Sequence, residues 1–83
     1  MNNNTANNDE EIAFICTKKG FTSDDEKQKY FSYGIQAVTN LCVLKEIDDI
    51  SLDEGSVMLL AEILTREKAS ILHFEDIVLD FIS

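Results

Sequence analysis

The sequence predicts an all-α protein: a small three- to four-helix bundle around one long central helix, dimeric in solution. Three observations predict it. No proline interrupts the 83 residues. Apolar residues between Tyr30 and Leu44 recur at helical spacing, with Phe31, Ile35, Val38 and Cys42 in one row and Tyr30, Ala37, Leu41 and Leu44 beside it. Ser23, with Glu26 three residues on, has the form of a capping box and marks a start. Together they describe a helix of about six turns from Ser23 to Leu44, on which the other elements pack.

Those other elements follow from local signals. Residues 1–8 are expected to form a disordered, Asn-rich tail with no apolar cluster to contribute, which leaves 9–83 as one helical domain. Asn8 and Glu11 can cap a first helix, Asp9 to Glu11 suit its positive end, Lys18 and Lys19 suit its negative end, and Gly20 ends it. Ser51 and Glu54 form a second capping box, so a third helix is expected from about Leu52, with Leu52, Leu59, Leu60, Ile63 and Leu64 inward. Ser70 caps a last helix, Ile71–Ile82. There Ile71, Phe74, Ile77, Val78, Phe81 and Ile82 form a stripe opposite Glu75, Asp76 and Asp80.

Composition then limits the function. A chain this short covers only about 60% of its unfolded surface on folding and needs support from a disulfide, a metal or a second copy. Cys16 and Cys42 lie in apolar patterns and are expected as buried, reduced thiols. One histidine and two separated cysteines offer no metal-ligand spacing. Self-association remains, so a homodimer is expected. Its packing seam would comprise Phe31, Ile35, Val38, Leu41 and Cys42 on the central helix with Phe74, Val78 and Phe81 on the last. The polar start and the absence of a long apolar run point to a cytoplasmic protein without membrane insertion.

Sixteen acidic residues face seven basic ones, a net charge of −9. Such a surface repels phosphates, so direct nucleic-acid binding is disfavoured. The local cluster Lys18, Lys19, Lys27 and Lys29 is interrupted by Asp24, Asp25 and Glu26. A protein partner with a basic surface is favoured instead, met by Asp24, Asp25, Glu26, Asp48, Asp49 and Asp53. No catalytic constellation and no cofactor motif are visible. His73 has no partner in the sequence pattern, and Asp48-Asp49 with Asp53-Glu54 lacks calcium-loop spacing. Asp49-Ile50-Ser51-Leu52 resembles the attachment serine of acyl carrier proteins, but Ile50 separates Asp from Ser and only 32 residues follow Ser51. The expectation is a non-enzyme.

The run Gln36-Ala37-Val38-Thr39-Asn40-Leu41 resembles the central helix of the YmgB/AriR family of small enterobacterial proteins. The resemblance implies an all-helical homodimer without catalysis. It also implies a regulator connecting stress signals to two-component phosphorelay control of biofilm, capsule and acid resistance. The rival expectation, from charge alone, is a DNA-mimicking inhibitor of the phage-borne kind that occupies a basic nucleic-acid-binding protein.

Overall fold

The computed structural model describes residues 11–25 and 27–83. Among the described residues three strands precede two helices: β1 (Ala13–Thr22), β2 (Lys29–Val38), β3 (Val43–Ser51), α1 (Glu54–Arg66) and α2 (Ile71–Ile82). The strands form one antiparallel sheet in the order β1-β2-β3. The fold is α+β, which corrects the expected all-α bundle. The segment from Ser23 to Leu44 is a turn, strand β2, a second turn and the start of β3. From Ala13 on, the expected first helix is β1. The Asn-rich tail, the cap at Asn8 and Glu26 lie outside the described residues.

The sequence of β2 explains the difference. Phe31, Tyr33, Ile35 and Ala37 alternate with Ser32, Gly34 and Gln36, a period of two running through the same residues that fit a helical row. Aromatic and β-branched side chains suit the pleated surface, and a central glycine weakens a helix by about 1 kcal/mol. Pairing with β1 decides the matter. Ten successive pairs, from Ala13↔Val38 to Thr22↔Lys29, run without a bulge. Phe14, Cys16, Ile35 and Ala37 thereby share the face that the helices cover.

Two turns join the strands. Asp25 Oδ1 accepts from Ser23 Oγ at 2.5 Å and from the Lys27 N–H at 3.0 Å, and the Ser23 N–H donates to the Gln28 carbonyl at 2.8 Å. Ser23 therefore closes a hairpin turn instead of capping a helix, and its hydroxyl holds the Asp25 carboxyl below the usual range. In the second turn Thr39 Oγ1 accepts from the N–H groups of Leu41 and Cys42, each at 3.2 Å.

The β3 edge is irregular. Tyr33 pairs with Ser51 but Ile35 pairs with Ile47, so β3 spends two extra residues there, and Asp49 takes a φ of 57°. The bulge turns Ile50 into the core beside half-buried Ile47. It also arches over Gly34. A Cβ on that glycine would collide with the Ile47 carbonyl oxygen and lie 2.8 Å from Asp48 Cα. On the outer face, Lys19 Nζ reaches Asp48 at 3.1 Å and Glu46 at 3.2 Å, tying β1 to the bulge. The hydrogen bonds to Asp48 and then Glu46 hold its ammonium pKa above the usual value.

Helix α1 lies over β1 and β2, and α2 lies against β3. Val57, Leu60, Ala61 and Leu64 of α1 and Phe74 and Val78 of α2 meet Phe14, Ile35, Ala37 and Ile50. The Phe14 and Phe74 rings pack edge to face, 5.1 Å between centroids. Thr65 Oγ1 accepts from the Phe14 N–H at 2.9 Å, and its one proton has the Ala61 carbonyl at 3.0 Å and the Phe14 carbonyl at 3.3 Å as alternative acceptors, which ties the β1 edge to the helix that crosses it. Helix α2 starts where the sequence predicts, with Ser70 Oγ accepting from the His73 N–H at 3.1 Å. Helix α1 starts two residues later than expected for Ser51, at an Asp53 N-cap. Leu52 and Leu59, expected inward, are exposed.

The end of α1 yields a prediction. The Ala69 N–H donates to the Leu64 carbonyl and the Lys68 N–H to the Thr65 carbonyl, both at 3.1 Å, with Lys68 at a φ of 55°. This is a Schellman closure with lysine at the position that favours glycine. Lys68→Gly is expected to stabilise the fold by about 0.5–1 kcal/mol, because lysine is strained in the left-handed region. A calorimetric scan showing a lower Tm than wild type would contradict it.

Candidate functional site

The expected seam does not exist as one surface. Phe31 lies exposed on β2, and Ile35 is buried in the same strand. Val38 is half-buried, whereas Leu41 and Cys42 are exposed in the second turn. Phe74 and Val78 belong to the core, and Phe81 is partly exposed near the C-terminus. The segment thought to need a second copy is a strand already covered at Ile35 and Ala37. The physical reason is twofold: Phe31 and Ile35 share one face of β2, which the helices cover at Ile35 but not at Phe31, and a strand alternates its faces, so Val38 falls on the other side.

The expected acidic surface is divided as well. Asp24 and Asp25 lie at the first hairpin turn, Asp48 and Asp49 in the β3 bulge, and Asp53 at the start of α1. Glu26 lies outside the described residues. Ser51 ends β3. Its hydroxyl accepts from the Asp53 N–H at 3.0 Å and its carbonyl from Ser32 Oγ at 3.2 Å, so it has a structural task. His73 is exposed on α2. Among the described residues no group of three or more His, Cys, Asp or Glu could hold a metal ion.

Neither cysteine is a buried helical thiol. Cys42 is exposed and Cys16 half-buried in β1, where burial, and secondarily the Glu54 charge, pushes the thiol pKa up. The thiolate is the nucleophile, so Cys42 is expected to react with iodoacetamide several-fold faster than Cys16 in the folded protein. Peptide-resolved labelling over time checks this. Equal rates would show that the base of β1 is open to solvent.

Two hollows remain. One, of about 610 Å³, is bordered by Ile12, Ala13, Thr65 and Ser70. Its hydroxyls are already committed, Thr65 to Phe14 and Ala61 and Ser70 to His73. The other is a groove of about 500 Å³ between β3 and α2, lined by Lys45, Ile47, Glu75, Val78, Leu79 and Ile82. Lys45 Nζ bridges to Glu75 at 2.7 Å along it.

The groove opens onto a helix face that the core leaves bare. On α2, Leu72 is 74% exposed and Leu79 63% exposed, and Ile82 continues the row. Asp76 and Asp80 stand beside them at helical spacing, both exposed. Charge is segregated in the same sense. Residues 39–83 carry ten carboxylates against Lys45, Arg66 and Lys68, a net −7. Residues 13–38 carry Lys18, Lys19, Lys27 and Lys29 against three carboxylates, a net +1. Sequence reading assigned Leu72 and Leu79 to no surface. Their offset from the Phe74–Val78 stripe was the available signal.

No protein-family model matches the chain, and searches of curated proteins and of solved structures find no match either. The run that carries the YmgB/AriR resemblance, Gln36 to Leu41, is the end of β2 and its turn, not a helix. No functional residue is carried over from it. Among the described residues, no helix is long and apolar enough to cross a membrane.

Proposed function

We propose that this chain is a small non-enzymatic regulatory protein that acts by protein–protein contact, with the acidic and apolar outer face of α2 as its contact surface. The carrying observation is the pair Leu72 and Leu79, more than half exposed on a helix whose neighbouring charges are Asp76 and Asp80. Large aliphatic side chains left bare beside like charges suit a partner with apolar and basic groups. The groove against β3 extends the surface to Ile82 and Glu75. The aliphatic residues supply desolvation, and the carboxylates supply steering and discrimination.

The test compares two immobilised baits in host lysate, the wild type and Leu72→Glu/Leu79→Glu, at about 50 and about 500 mM salt. A partner held by the wild type at low salt, and lost both with the variant and at high salt, is expected. An identical set of captured proteins on both baits counts against the reading. The DNA-mimic reading has one observation in its favour, the net −7 of residues 39–83. It is distinguished by competition, since duplex DNA would then displace the chain from the captured partner.

A further inference from the structure

The hairpin of β1 and β2 is longer than the helices that cover it. Its inner half carries Phe14, Cys16, Ile35 and Ala37 under α1 and α2. Its outer half, from Lys18 to Thr22 and from Lys29 to Phe31, is exposed except at Phe21, and the molecule measures 59 × 23 × 19 Å. The register fixes what this outer half presents. Lys18, Gly20 and Thr22 pair with Tyr33, Phe31 and Lys29, so all six fall on the face that the helices cover further in. Phe31 is 59% exposed, its ring edge 3.6 Å from where a Gly20 Cβ would stand, and Lys18 Nζ sits 4.4 Å from its centroid. The result is an aromatic and basic patch on the part of this sheet face that the helices do not reach.

The α2 face has the opposite character: aliphatic and acidic, exposed, and without a sheet. The lengths agree. Five strand residues span about 17 Å, and the twelve residues of α2 span about 18 Å. Charges agree too, since Lys18 and Lys29 on the arm oppose Asp76 and Asp80 on the helix, within a chain whose net −9 otherwise resists self-association. Two-fold symmetry makes every such contact twice, which lets two modest patches close a dimer.

We propose that the outer half of the β1–β2 arm docks on the α2 face of a second copy, and reciprocally, forming an arm-exchanged dimer. This deepens the reading of α2 as a contact surface and rests on it. Phe31 packs between Leu72 and Leu79 of the other copy, and Lys18 and Lys29 meet Asp76 and Asp80. The acidic turn at Asp24 and Asp25 passes beyond the helix, since its carboxylates would repel that face. The dimer covers the surface that a basic partner would use, so dimerisation and partner binding compete.

The experiment is a charge exchange read by sedimentation and native mass spectrometry at low salt. The wild type is expected to dimerise at micromolar to submillimolar concentration and to dissociate as salt rises. Lys18→Glu/Lys29→Glu and Asp76→Lys/Asp80→Lys are each expected to be monomeric, and their equimolar mixture to form a heterodimer, because each arm then finds an opposite helix. The substituted side chains are all exposed, and circular dichroism verifies folding. A second measurement needs no variant. Zero-length carbodiimide coupling of mixed isotope-labelled and unlabelled wild type should join Lys18 or Lys29 of one copy to Asp76 or Asp80 of the other. A wild type that stays monomeric, a mixture that fails to pair, or links confined within one copy overturns the proposal. Monomeric wild type that still loses its captured partner through Leu72→Glu/Leu79→Glu removes the dimer alone. Restored pairing without any captured partner removes the partner reading alone.

Discussion

Phe74→Ala is expected to cost about 3–5 kcal/mol, the loss typical of removing a fully buried aromatic ring. Phe74 has no exposed surface, stacks edge-on against Phe14 of β1, and is the largest side chain joining α2 to the rest of the core. A chain of 83 residues has roughly 4–12 kcal/mol of stability in total, so the variant should sit near the edge of unfolding at 25 °C. The urea midpoint measures the change. Leu72→Ala, on the exposed side of the same helix, is the control and should shift stability by less than about 0.5 kcal/mol in the isolated monomer. If the two variants lose comparable amounts, α2 does not anchor the fold through Phe74.

Gly34→Ala should have the next largest effect, about 3 kcal/mol. The cause is steric. The extra residues of β3 cross so closely over Gly34 that a methyl group would meet the Ile47 carbonyl and the Asp48 backbone, and neither can rotate away as a flexible side chain would. Overpacking of this kind costs about 1–3 kcal/mol, more when backbone must move. The bulge would shift, loosening Ile50 in the core and the Lys19 bridges to Asp48 and Glu46. A thermal scan should show Tm lower by roughly 10–25 °C. Gly20→Ala, whose new methyl group would meet only the Phe31 ring at ordinary contact distance, should stay within a few degrees of wild type. Equal behaviour of the two variants would mean that the bulge yields at no cost.

The two glycines show why the strand half of the chain is hard to read. By local signals Gly20 ends a helix, and nothing local gives Gly34 a role. Their roles depend on which strand lies opposite, and no local signal carries that. Ile47 and Ile50 are a sharper case. They are three residues apart, a helical interval, yet both reach the core because a bulge rotates the strand between them. The contact surface was partly within reach. The stripe of α2 was readable at Phe74 and Val78, which are buried, whereas Phe81 and Ile82, expected on it, are exposed together with Leu72 and Leu79, which lie off it. The cation and aromatic patch of the arm was not, because Lys18 and Phe31 meet only through the β1–β2 register.

By itself the sequence determined the charge balance, the last helix with its Ser70 cap, and two of the four buried residues of α1, Leu60 and Leu64, because capping and helical periodicity act within a few residues. Tertiary structure alone decided that Ala13–Thr22, Lys29–Val38 and Val43–Ser51 pair as a sheet, that Gly34 lies beneath a neighbouring strand, and that the arm outruns its helices. Strand pairing joins residues far apart in the chain, and an apolar row compatible with both periods takes whichever geometry its partners complete.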